Sequence, residues 1–262
     1  MLSGQALSSL RGQRKSIAKR MDAMLGYLRG LLLFLVTLVP LCLGVSVLGL
    51  VEPARGANAA MWLCRFWLRL FRIQVKLIDH NPAPTSYSNC LFVLLNQTSL
   101  LDGTVGAVMM PPPMRYVINL EYALLPFVGW TTAVFSTVLV RQWPSQARRA
   151  LARICEFLQS GGNVYISIEG RVSREGTLSP YKKGPVVLAI SAQSRIVPVV
   201  IRGTRECMSP GSAFIRSGTV TVEFLTIVDV RGVPYEDRDL IVERLRRIAV
   251  DHVQQQEAEK VQ

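Results

Sequence analysis

The chain has 262 residues, enough for one large domain with a substantial core. Half of its residues are hydrophobic and the formal charge is +12, from 30 Lys+Arg against 18 Asp+Glu, so anionic partners are expected, either a membrane surface or a nucleic acid. The five cysteines, at 42, 64, 90, 155 and 207, form no CxxC pair, and His80 and His252 stand far apart. That pattern argues against a disulfide framework and a zinc site, and is expected of reduced thiols in a cytoplasm-facing protein.

Residues 1–28 are polar and basic, with Arg11, Arg14, Lys15, Lys19 and Arg20 ahead of the first apolar run. Such a segment is expected to rest on anionic headgroups rather than to be a plain solvated tail. Gly30 through Val51 carries no charge, a length that suffices to cross the roughly 30 Å hydrocarbon core as a helix. Pro40 and Gly44 lie inside it, and arginines follow at 55, 65, 69 and 72, so a single crossing and a re-entrant hairpin are both open. The stretch Met61–Arg72 alternates Trp62, Phe66, Trp67 and Phe71 with arginines, the composition of a helix lying at headgroup level. Residues 29–72 are therefore expected to form membrane-embedded and interfacial helices.

An α/β domain is expected over 73–262. Strand candidates are Ile73–Ile78, Cys90–Leu95, Arg115–Ile118, Val134–Val140, Asn163–Ile168, Ile196–Ile201 and Thr219–Leu225. Helical patterns separate several of them, notably Pro144–Gln159 and Pro185–Ala192, each opened by a proline suited to a first turn. Strands alternating with helices predict a central, mostly parallel sheet flanked by helices. Tyr235–Lys260 reads as a charged helix packing through Leu240, Val242, Leu245 and Ile248.

Chemistry is expected at the strand-turn-helix corner Asn96-Gln97-Thr98-Ser99-Leu100-Leu101-Asp102, where polar side chains follow a buried strand. Ser99 and Asp102 are also spaced as a helix cap, the blander reading of the same residues. A second corner is Glu169-Gly170-Arg171-Val172-Ser173 after the strand at 163, followed by Tyr181-Lys182-Lys183-Gly184. An arginine by a glycine turn and lysines ahead of a helix suit a phosphate.

The first corner resembles the opening block of the glycerolipid acyltransferases, a His-x-x-x-x-Asp signature. Asp102 sits where that Asp belongs, and Gln97 occupies the His position. The second corner resembles the block Phe-Pro-Glu-Gly-Thr-Arg-Ser, keeping Glu169, Gly170 and Ser173 with Arg171 one place early. Leu125–Trp130 with a strand ending at Arg141 is similar to the family's second block, and Ile196–Ile201 with Pro198 to its fourth. The layout is similar to that of the bacterial 1-acylglycerol-3-phosphate acyltransferases within the family.

The resemblance implies a membrane-bound enzyme, at the inner membrane with its domain facing the cytoplasm, that moves a fatty acyl group from acyl-CoA or acyl carrier protein to a lysophospholipid hydroxyl. It needs no further cofactor. Gln97 and Asp102 would be catalytic, and Arg141, Glu169, Gly170, Arg171, Ser173 and Lys182 would bind substrate. A glutamine does not titrate near neutrality, so it can orient a hydroxyl but not take its proton. Another acceptor is then needed, with the substrate phosphate and Glu169 as candidates. The alternative is a catalytically inactive member, natural or engineered, that binds lipid as a scaffold. No nucleic-acid motif accompanies the charge, and no nucleic-acid partner is expected.

Overall fold

A computed structural model describes residues 39–82, 86–124, 129, 136–139, 144–173, 177–212 and 214–261. In chain order the elements are α1 (Val39–Val51), α2 (Pro53–Leu70), β1 (Ile73–Asp79), β2 (Cys90–Leu94), α3 (Leu101–Met109) and β3 (Met114–Asn119). There follow α4 (Leu120–Ala123), β4 (Ser136–Leu139), α5 (Pro144–Gln159), β5 (Asn163–Ser167), α6 (Gly184–Ser191) and β6 (Arg195–Arg202). The chain continues through α7 (Thr204–Cys207), β7 (Gly218–Phe224), β8 (Val228–Asp229), a 3₁₀ turn at Tyr235–Asp237, and α8 (Arg238–Val261).

The strands form one sheet in the order β1-β7-β6-β2-β5-β3-β4, with β8 beside β6. Pairing is parallel everywhere except where β6 meets β7 and β8. The central strand β2 is buried along its whole length, which is why it reads as an unbroken apolar run instead of an alternating one. Its successive side chains still point to opposite faces. Leu91 and Val93 join the cluster formed with α5, α6 and α8 through Ile154, Leu158, Leu188 and Leu245. Cys90, Phe92 and Leu94 join the cluster formed with α2 and α3 through Leu68, Leu101 and Val105. The architecture is thus helices on both faces of a mostly parallel sheet.

The basic segment 1–28 and the first part of the apolar run, through Leu38, lie outside the described residues. From Val39 the run is helical to Val51, and Pro53 starts α2 immediately afterwards. The two helices pack through Cys42, Val45, Ala60 and Leu63. No helix among the described residues is long and apolar enough to cross a membrane. Outward, the pair exposes Leu43, Val47, Leu50, Trp62, Phe66 and Leu70, with Trp62 stacked on Phe66 at 5.6 Å.

Candidate active site

The corner after β2 is built around one carboxylate. Asp102, in the first turn of α3, is fully buried. Its Oδ2 accepts the backbone N–H groups of Thr98 at 2.8 Å and Ser99 at 2.9 Å, and its Oδ1 accepts the Thr204 hydroxyl at 2.6 Å. Ser99 Oγ in turn accepts the N–H of Leu101 at 3.2 Å. Asp102 therefore caps the Ser99 N–H as the spacing predicts, but the cap is not reciprocal, since the Ser99 hydroxyl serves Leu101 and the Asp102 N–H goes to the Ser99 carbonyl at 3.3 Å. The cap fixes the carboxylate without supplying a cation. Burial pushes the Asp102 pKa up to about 7, against the pull of the three hydrogen bonds.

Thr204 is invisible to a local reading of the sequence. It is fully buried and reaches Asp102 from the far end of β6, across a turn in which Gly203 takes φ +86°. A Cβ at Gly203 would lie 2.2 Å from the Thr219 carbonyl, so only glycine fits this turn.

Gln97 is anchored through its backbone. Its N–H donates to Glu169 Oε2 at 3.0 Å, and its carbonyl accepts the N–H of Ser173 at 2.8 Å. The side-chain amide lies against the Tyr122 hydroxyl, while its Oε1 is buried and makes no hydrogen bond among the described residues. A buried carbonyl oxygen without a donor is costly, and a donor group on a bound substrate would satisfy it.

Glu169 is placed differently from its expected role as a headgroup ligand or proton acceptor. It is buried, with Oε2 on Gln97 N–H and Oε1 on Ser179 N–H at 2.6 Å. It ties the corner after β2 to the loop before α6. Ser173 is likewise internal, its hydroxyl donating to the Thr177 carbonyl at 2.8 Å. Gly170 has φ +70° and its carbonyl accepts the Asn119 amide at 2.6 Å. Arg171 is exposed. Arg141 lies outside the described residues.

A cavity of about 460 Å³ opens beside this corner. Its origin is the strand register. β3 pairs with β5 only from Met114 to Tyr116, then continues along β4, while β5 continues along β2 to Ser167. Past Tyr116 and Tyr165 the two strands part, and the space between them is lined by Val117, Ile118, Leu139, Leu151 and Ile166. Gln97, Asp102, Gly170, Tyr122 and Lys182 also line it, as do Gly184 and Pro185 at the start of α6. Of the expected site residues, Gln97, Asp102, Gly170 and Lys182 thus come together on one cavity. Glu169, Arg171 and Ser173 are not in its lining. The sequence pattern also missed Asn119 and Tyr122, which hold the Gly170 carbonyl and, at 3.1 Å, the Val172 N–H.

The chain's two histidines are elsewhere. His80 and His252 approach Glu223 on β7 at 3.4 and 3.1 Å, with Arg202 on the other carboxylate oxygen. Neither lines the cavity.

A strand-turn-helix corner bearing a buried Asp is the arrangement that the first sequence block implies. A sequence profile described as "Acyltransferase" matches residues 72–202. The chain belongs to the acyltransferase family. It is 28% identical over 141 residues to a chloroplastic 1-acyl-sn-glycerol-3-phosphate acyltransferase of Brassica napus, covering 53% of this chain and 40% of that protein. It is 27% identical over 188 residues to the human 1-acyl-sn-glycerol-3-phosphate acyltransferase beta, covering 71% and 67%. The chain spans less than half the length of the Brassica relative. Among solved structures, the 1-acyl-sn-glycerophosphate acyltransferase PlsC of Thermotoga maritima superposes with a TM-score of 0.65 at 20% identity, covering 90% of this chain and 97% of that one. This likeness shows the same fold.

Proposed function

We propose that the protein is an O-acyltransferase that moves a fatty acyl group from a thioester, acyl-CoA or acyl carrier protein, to the free hydroxyl of 1-acylglycerol-3-phosphate. The relatives' names motivate the acceptor. The observation that carries the reading is the convergence of Asp102, Gln97 and Lys182 on a mainly apolar cleft of about 460 Å³, within the size range of small-molecule sites. The parted strands β3 and β5 supply room for the acyl chain. Lys182 and the N-terminal end of α6 face the same space and suit the acceptor phosphate.

In this reading the Gln97 side chain orients the acceptor oxygen, whose O–H donates to Asp102, and Asp102 takes that proton as the oxygen attacks the thioester carbonyl. The C–S bond breaks and the proton passes on to the leaving thiolate. Asp102 is suited to that task in place of an imidazole because its pKa of about 7 leaves it half ionised near neutrality, where a general base works best. Glu169, with both oxygens on backbone N–H groups, is a positioning residue for the Gln97 backbone.

The outward apolar face of the α1–α2 pair, interspersed with Arg65 and Arg69, supports association with an anionic bilayer surface, where a lysolipid acceptor resides. We place the protein at the inner membrane with the α/β domain in the cytoplasm. The test is product formation from 1-acylglycerol-3-phosphate by the purified protein in vesicles, with each thioester donor in turn. Formation of the diacyl product is expected, and no product with either donor would overturn the assignment.

A further inference from the structure

The exposed face of α5 carries a band of arginines. Helix α5 buries Ala150, Ile154 and Leu158 against the sheet and leaves Arg148, Arg149 and Arg153 exposed. None of the three makes an ion pair among the described residues. Arg115 extends the band from β3, its guanidinium 4.5 Å from the ring centroid of Phe157 on the same helix. The helix carries a single acidic residue, Glu156. Three arginines held on one rigid helix face repel one another, a cost that persists unless an acidic partner offsets it.

The partner is narrowed by geometry. Leu151 of α5 lines the catalytic cavity, so the helix flanks the site directly. It packs with the cluster that includes α6 and α8, on the face of the sheet opposite the cluster that holds α2. A bilayer contacted through α1 and α2 therefore lies across the sheet from these arginines. What the band faces is the aqueous side, next to the cavity where a thioester must enter.

We infer that the arginine face of α5 is the docking surface for an acidic, water-soluble protein that carries the acyl thioester. This rests on the acyltransferase reading and names which of the two donors has a built surface. Arginine is the suited residue, because its fork pairs with carboxylates in a bidentate manner. Contacts of this kind act chiefly on encounter rate and weaken with salt.

The test compares the full chain with the variant R148E/R149E/R153E, using a long-chain acyl carrier protein thioester and the matching acyl-CoA as donors. The variant is expected to raise KM for the protein-bound donor by about tenfold or more at low salt and to leave turnover of acyl-CoA within about twofold. An unchanged KM for the carrier overturns the proposal, and so does an equal loss with both donors. If the variant instead loses binding to anionic vesicles while the carrier KM stays put, the surface belongs to the bilayer and the proposal fails. Should the wild-type chain transfer no acyl group from either donor, the function fails separately. Direct binding of the acyl carrier protein at low salt then decides: binding that the variant loses upholds the docking surface, and no binding overturns it.

Discussion

The loops that follow β2 and β5 each bury one carboxylate, and the two end up with different work. Asp102 and Glu169 are both satisfied by backbone N–H groups, and burial raises the pKa of both. Only Asp102 lines the cavity. Glu169 spends each oxygen on a separate loop and so acts as a tie. A perturbed carboxyl is therefore not enough to mark a catalytic group; access to the space where substrate sits makes the distinction. Glu223 offers a third arrangement, with Arg202 and both histidines around it and no place in the lining of this cavity.

The comparison breaks most sharply at Asp102. Asp102→Asn keeps the size and one acceptor for the N–H groups but removes the base, and is expected to lower kcat/KM by about 10²–10⁴-fold with the fold retained by circular dichroism. If Glu169→Gln has that effect on kcat while Asp102→Asn does not, the roles are reversed. Restoring an imidazole beside Asp102, by Gln97→His, is expected to raise kcat by about tenfold or more in the same assay. No change would mean that Gln97 is not at the reacting hydroxyl. For the tie, Glu169→Ala strands two backbone N–H groups and is expected to cost about 2–4 kcal/mol in urea unfolding. The smallest effect is expected at Thr204→Val, about 1–3 kcal/mol, because one hydrogen bond to the buried carboxylate is lost. Thr204 lowers the Asp102 pKa, so its loss moves the titration to higher pH.

Burial of Asp102 also leaves a signature in stability. Its pKa rises from 3.8 in the unfolded chain to about 7 in the fold, so the folded state holds a proton that the unfolded state releases between those values. Raising the pH through that window should erode wild-type stability, and the erosion should be smaller in Asp102→Asn.

The fold was largely legible because its strands are buried runs between turn residues. Cys90–Leu95, Asn163–Ile168 and Ile196–Ile201 match β2, β5 and β6 to within a residue at either end. Pro144 marks the start of α5. The two-residue β8 and the four-residue α7 carry no periodicity and went unread. At the site, Asp102 and Gln97 were legible as a corner, and Lys182 as a lysine ahead of a helix. Thr204 was not, since its contact spans the fold and depends on the turn at Gly203. The cleft was not legible either, because it arises from a change of pairing partner after Tyr116 that no single strand encodes. Glu169 reads as a ligand through its place in the family-like Glu-Gly block after the strand, whereas the fold turns its carboxylate inward.

The most direct test of the account is the pH dependence of kcat/KM for acyl transfer by the wild-type chain and by Asp102→Asn. With Asp102 as the proton acceptor, the wild-type rate should rise about tenfold per pH unit and level off near pH 7, and this limb should vanish in the variant. An Asp102→Asn enzyme that keeps both the rate and the limb would contradict it.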